Sequence, residues 1–331
     1  MDIIPVSVYR PLNLRYTEEA ESHRLPWQAG AAAETHGDRM PPALDSTSPI
    51  PAIAGIDHVL IGVRDLEAAA ERWRRLGFCL TPRGRHIGWG TGNYCIMFQH
   101  DYIELLGIID PAQFTNNLDR FLAGREGLMG LAFAGSDEGA CAEQVKAAGI
   151  LFDGPKVLKR ELELPEGTVL PEFGLVMLKP EATPALSAFV CVHKTPDLLR
   201  QPEWLRHANR ATGLVSLTVV VDDPVETIFG WLPLFGPTRV STANLMTVLD
   251  TGHGHIRFTT REGLAQLYPA MVPLPDIKTP WIAAMKISVA DKARCRDHLH
   301  FANILSFKTG KGCIVPPEEA NGVIVEFVEE K

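Results

Sequence analysis

The sequence predicts an α+β fold: four β-α-β-β-β modules, paired into two domains with curved mixed β-sheets. Three observations predict it. A hydrophobic strand ending in Asp recurs four times along the chain. Each Asp leads into a segment of helical length, and short strand-like runs follow each of those segments.

In the first module, GIDHVLIGVRD alternates like a strand. LEAAAERWRRLGF then places Leu66, Ala69, Ala70, Trp73 and Leu76 at helical spacing up to Gly77. HIGWG, NYCIMFQ and DYIELLGI follow as three short strands divided by turn residues. The second module runs LMGLAFAGSD, EGACAEQVKAAGI, LFDGPKVLKR, FGLVMLKP and LSAFVCVHK. The third runs GLVSLTVVVDD, PVETIFGWLPLFG, TRVST, NLMTVLD and GHIRFTT. The fourth runs WIAAMKISVAD, KARCRDHLHFANI, LSFKTG, GCIVPP and GVIVEFVEE. Asp65, Asp137, Asp223 and Asp291 are the expected N-caps, each carboxylate accepting the first free amide hydrogens of its helix. One module leaves a sheet face bare, so modules must pair. The expected pairs are 53–206 and 207–331, with TPDLLRQPEWLRHANRATG as connector. Residues 1–52 are rich in proline and small polar residues, without periodicity, and read as a flexible extension.

The 331 residues are 46% hydrophobic and 22% charged, which is globular usage. A net charge of −8 argues against a nucleic-acid backbone binder. The six cysteines are scattered with no C-x-x-C pair, which excludes zinc-ribbon and thioredoxin-like readings. No apolar run is long enough for a spanning helix, and the first residues lack a secretory pattern. The expectation is a cytoplasmic protein with no nucleic-acid or membrane partner.

The run GIDHVLIGVRDLEAAAERWRRLGF, then GRHIGWGTGNYCIMF, then DYIELLG, resembles the opening module of the vicinal oxygen chelate superfamily, in its glyoxalase-like branch. FVCVHKTPDLLRQPEWLRHANRATGL resembles a segment of its multi-module bacterial members. The resemblance implies paired modules forming a cup that holds a divalent ion such as Fe2+, Mn2+ or Zn2+, with two vicinal substrate oxygens chelated on it. It also implies a small-molecule substrate and a homodimer. Superfamily chemistry spans isomerases, epimerases, ring-cleaving dioxygenases, thiol transferases and metal-free binding or resistance proteins. The expected function is a metal-dependent lyase or isomerase; an iron-dependent dioxygenase and a metal-free binding protein are the alternatives.

The resemblance sets the first and last strands of the opening module side by side, with His58 and Glu104 as metal ligands. Glu104 also stands out unaided, because a carboxylate in an apolar strand is costly to bury unless paired or ligating. In the second module Gly130 occupies the place of His58, so His193 in AFVCVHK is the expected third ligand and Cys191 a packed thiol. The second pair has Ser216, Arg257 and Ala284 where ligands would stand and keeps only Glu326. It reads as a structural or substrate-shaping half, with His253 and His255 as a weak compensating pair. In GRHIGWGTGN, His86 is the candidate acid or base, with Glu104 as its catalytic partner. Thr91, Asn93 and Tyr102 are candidate substrate contacts, and Arg85 and Arg160 candidate carboxylate clamps.

Overall fold

The bare face of each module dictates how the modules join. A computed structural model describes residues 51–330 apart from 165 and 244. The extension expected over 1–52 lies outside the described residues except for its last two.

The first half contains β1 (Ile53–Gly62), α1 (Leu66–Arg75), β2 (Gly84–His86), β3 (Thr91–Met97), β4 (Tyr102–Ile108), α2 (Leu118–Gly124), β5 (Gly127–Gly135), α3 (Glu138–Ala147), β6 (Phe152–Leu164), β7 (Gly167–Val169), β8 (Glu172–Leu178) and β9 (Ala188–His193). Their order in the sheet is β2-β3-β4-β1-β5-β9-β8-β6-β7. Strand β1 runs parallel to β4 and antiparallel to β5, which is where the two modules meet. Strand β2 also pairs with β6, setting His86 opposite Arg160, so the sheet closes on itself. The run HIGWG departs from expectation: the strand ends at His86, and the backbone turns at Gly88, where φ is +78°.

The second half contains β10 (Ala211–Val220), α4 (Pro224–Phe229), α5 (Leu232–Phe235), β11 (Val240–Ala243), β12 (Met246–Asp250), β13 (His255–Thr259), α6 (Arg261–Leu267), β14 (Trp281–Val289), α7 (Lys292–Phe301), β15 (Phe307–Lys308), β16 (Gly312–Val315) and β17 (Ile324–Val328). Here the order is β11-β12-β13-β10-β14-β17-β16-β15. The sheet has the same internal sequence of strands without the closing pair.

All four expected caps form. Asp65 and Asp137 accept from Ala68 N and Ala140 N at 3.0 and 2.8 Å. Asp223 and Asp291 each accept from two amides of the following turn. Each cap contributes about 1 kcal/mol and fixes where the chain leaves the sheet.

One apolar cluster joins the halves, running from Ile53 and Trp73 of the first to Leu214 and Phe327 of the second. A separate cluster lines the first sheet's interior, including Leu162, Phe173 and Trp204 from the connector. The second sheet's concave face is covered by Leu264, Tyr268 and Met271, from α6 and the segment after it, packed with Trp281 of β14. Among the described residues no helix is long and apolar enough to cross a membrane.

Candidate active site

The closed first sheet encloses a cavity of about 460 Å³. His58, His86, Thr91, Tyr102, Glu104 and Arg160 all line it. Register explains the meeting of the first two candidate ligands: Leu60 of β1 lies opposite Glu104 of β4, and His58 opposite Tyr102. His58 Nε2 stands 3.5 Å from Glu104 Oε2, and the imidazole stacks on Tyr102 with ring centroids 4.3 Å apart.

The other nitrogen of His58 has a partner that strand alternation does not foresee. Between Ile56 and His58 the β1–β5 register slips by one residue, leaving Asp57 as the extra residue of a bulge. Its carboxylate therefore comes round to His58, with Nδ1 2.6 Å from Asp57 Oδ2. His193 Nε2 reaches the same oxygen at 3.0 Å. Burial alone would raise the pKa of Asp57; the two imidazoles outweigh it and hold the carboxyl well below the usual range. Being ionised, Asp57 can only accept, so both rings donate to it.

Glu104 is held from the side. Asn93 Nδ2 donates to Oε1 at 2.5 Å, and His86 Nε2 lies 3.6 Å from the same oxygen. His86 is fixed in turn by Thr91, with Nδ1 2.8 Å from Oγ1. Burial pushes His86 down to about 4, the nearby Glu104 opposing and Arg160 assisting, so its ring is neutral at pH 7. Burial raises Glu104, but His86, His58, Arg160 and the Asn93 hydrogen bond together lower its pKa below the ordinary value.

Arg160 enters from β6 across the closing seam, is 2% exposed, and donates from Nη1 to Cys95 Sγ at 3.0 Å. Its Nε and Nη2 have no partner among the described residues. Gly84 makes room for it: a Cβ there would stand 2.2 Å from Asn93 Oδ1 and 2.7 Å from Arg160 Cδ.

Six of the nine sequence-derived candidates thus line one cavity, His58, His86, Thr91, Tyr102, Glu104 and Arg160, and Asn93 joins them through Glu104. Arg85 does not join them; strand alternation in β2 turns it outward, where it is exposed. His193 joins through Asp57, behind His58, and not beside Glu104. Asp57 and Cys95 are contributors the sequence did not flag. Gly130 lines the cavity too, and a Cβ there would stand 2.6 Å from Ser187 O, so the backbone leaves no space for a fourth ligand side chain.

Two groups of metal-type donors meet here. Asp57, Cys191 and His193 bring one ligand atom each within 4.8 Å of one another. Burial pushes the Cys191 thiol far up and Asp57 Oδ2 accepts from two rings, while His193 Nδ1 has no partner among the described residues, so this trio is one candidate metal group. His58 and Glu104 are different. With Nδ1 committed to Asp57, Nε2 is left facing a Glu104 carboxylate oxygen at 3.5 Å, and a divalent ion between them would take one donor atom from each. Each donor is also oriented by an outer partner, as metal ligands generally are. These residues fit a divalent ion.

In the second half Glu326 is paired with Lys286 at 3.0 Å and Tyr268 OH at 3.2 Å, beneath the apolar filling. His253 and His255 diverge: His253 meets Asp101 at 2.6 Å, and His255 lies 3.8 Å from Asp250.

Comparisons with known proteins agree with this geometry. A glyoxalase-like domain family model matches residues 56–235, more than half of the chain. No match was found among curated proteins. A hypothetical protein from Staphylococcus aureus has a similar solved structure, with a TM-score of 0.59 at 14% identity, covering 84% of this chain and 100% of that one. A xylose isomerase-like TIM barrel/4-hydroxyphenylpyruvate dioxygenase fusion protein gives 0.49 at 13% identity, over 88% of this chain and 51% of that one. A mutant of 4-hydroxymandelate synthase from Streptomyces coelicolor gives 0.47 at 12% identity, over 84% and 93%. At such identities the likeness is one of fold alone. With its matched domain and its two curved sheets, the chain belongs to the glyoxalase-like domain family of the vicinal oxygen chelate superfamily.

Proposed function

We propose that the protein is a divalent-metal-dependent enzyme acting on a small oxygenated metabolite inside the first sheet, by lyase or isomerase chemistry. The observation that carries this reading is the facing pair His58 Nε2 and Glu104 Oε2, 3.5 Å apart and both lining the first-sheet cavity. These two residues would hold the ion, with Asp57 and Asn93 fixing their orientation and His193 supporting Asp57. When bound, the ion supplies Lewis acidity toward a developing substrate oxyanion. His86 holds the other task. Its ring is neutral, Thr91 fixes Nδ1, and Nε2, which has only a long 3.5 Å contact to Asn93 Nδ2, would take a substrate proton within the cavity.

A second reading starts from His86 Nε2, 3.6 Å from Glu104 Oε1, although His58, His86 and Glu104 do not converge as one donor cluster among the described residues. If His86 ligates as well, the donors become two imidazoles and one carboxylate, the set used by non-haem iron oxygenases. Metal analysis of protein purified without chelator separates the readings. Stoichiometric metal lost in His58→Ala and in Glu104→Ala, but kept in His86→Ala, supports the lyase or isomerase. Loss in all three, with Fe(II)-dependent oxygen uptake, supports the oxygenase. Metal-free protein of normal stability that takes up no added divalent ion overturns both and leaves a binding protein.

A further inference from the structure

We infer that the ligand of this cavity carries a carboxylate, bound side-on by Arg160, on an apolar tail; this rests on the reading above that the first cavity is the functional site. Arg160 is buried, lines the cavity, and among the described residues has no carboxylate within salt-bridge distance. Glu104 is committed to Asn93 and the two histidines, while Lys179 and Asp153, which also line the cavity, pair with each other. A buried charge whose partners are a thiol and the face of Phe173 is costly. An incoming anion removes that cost.

The free atoms specify which anion. Nη1 is taken by Cys95, and the unpartnered nitrogens are Nε and Nη2, both without open surface, so an anion reaches them by a shift of the Arg160 side chain. Those two form one edge of the guanidinium, with parallel N–H bonds that match the two oxygens of a carboxylate. A phosphate monoester brings a third oxygen and a second charge for which this edge has no donor. Apart from Thr115, Asn116, Asn117, Ser187 and the Lys179–Asp153 pair, most of the remaining wall is apolar: Leu60, Leu106, Phe121, Leu175 and Phe189 face the same space. That wall suits an aromatic or branched aliphatic tail. Because His86 lies opposite Arg160 across the β2–β6 seam, the carboxylate would anchor the ligand beside the proton-handling group.

The test is titration calorimetry of the full chain with 3-phenylpropanoate, its neutral isostere 3-phenylpropanamide, and phenyl phosphate. Each is run on chelator-treated protein and again with Mn2+. The acid should bind at least about tenfold tighter than the amide, about 1.4 kcal/mol, and tighter than the phosphate, with or without metal. In Arg160→Gln the acid–amide ratio should fall to near one, and Arg160→Lys, keeping the charge but not the edge, should fall between. Equal binding of acid and amide by the native protein overturns the inference, as does no binding of the acid or a preference for phosphate. So does a preference that survives in Arg160→Gln. If acid preference appears only with Mn2+, the ion holds the carboxylate, and the metal reading stands while this inference fails. If it is present in protein that takes up no metal, the reverse holds. Should Arg160→Gln not fold, Arg160→Lys and the native acid–amide ratio still decide.

Discussion

His207 is a neutral histidine built into the joint between the two halves, and its proton affinity makes stability depend on pH in a defined direction. It lies in the connector, 6% exposed, with Nδ1 accepting from Cys79 N at 3.0 Å and Nε2 donating to Met97 O at 3.0 Å. Phe78 and Phe98 pack against its ring. Burial pushes its pKa from 6.5 down to about 4, against the opposing hydrogen bond to Met97. The folded value lies below the unfolded one, so as pH falls the unfolded chain takes the proton first. Stability is therefore complete above about pH 6.5, falls as pH drops toward 4, and falls no further below that. At 1.36 kcal/mol per unit the gap amounts to about 3 kcal/mol. The assay is urea unfolding at about pH 7.5 and about pH 4.5, on native protein and on His207→Gln, which keeps an acceptor and a donor but does not titrate. His86, also pushed down to about 4, contributes a similar slope to both proteins, so the difference between them isolates His207. The native protein should lose about 2–3 kcal/mol more than the variant across this interval. Parallel losses in the two proteins would refute the reasoning.

Gly84→Ala forces a methyl group to within 2.2 Å of Asn93 Oδ1 and should cost about 1–3 kcal/mol by overpacking. It should also weaken binding at the cavity, since Asn93 must leave Glu104; a variant with native melting temperature and native ligand affinity would count against the packing account. Trp73→Ala empties a fully buried site and strips Asn321 Oδ1 of its donor at 3.2 Å, so a loss of about 3–5 kcal/mol is expected in urea unfolding. Phe301→Ala, at a side chain 86% exposed, should stay within about 0.5 kcal/mol of the native protein in the same assay.

What the sequence made legible is what local chemistry decides. The four Asp caps follow from one carboxylate and the next turn of backbone, and the strands follow from alternation. The pairing of His58 with Glu104 was legible through the resemblance, since no local rule brings residues so far apart onto neighbouring strands. Three features of the site depend on contacts that no local pattern encodes. Asp57 reaches His58 only because β1 carries a bulge against β5. Arg160 meets His86 only because β6 closes onto β2, and β6 reaches residues 152–164 where a shorter strand was expected. His193, on the correct strand, is drawn to Asp57 by the charge that the bulge delivers. The two halves then diverge for a steric reason more than a chemical one. Both sheets have the same internal strand order, but the segment after Arg261 lays Leu264, Tyr268 and Met271 over the second concave face, against Trp281 of β14. A filled sheet can keep Glu326 only by pairing it with Lys286 and Tyr268. The first sheet, closed at its edges and lined by Gly130 where a side chain would intrude, keeps an open interior and the polar groups that face it.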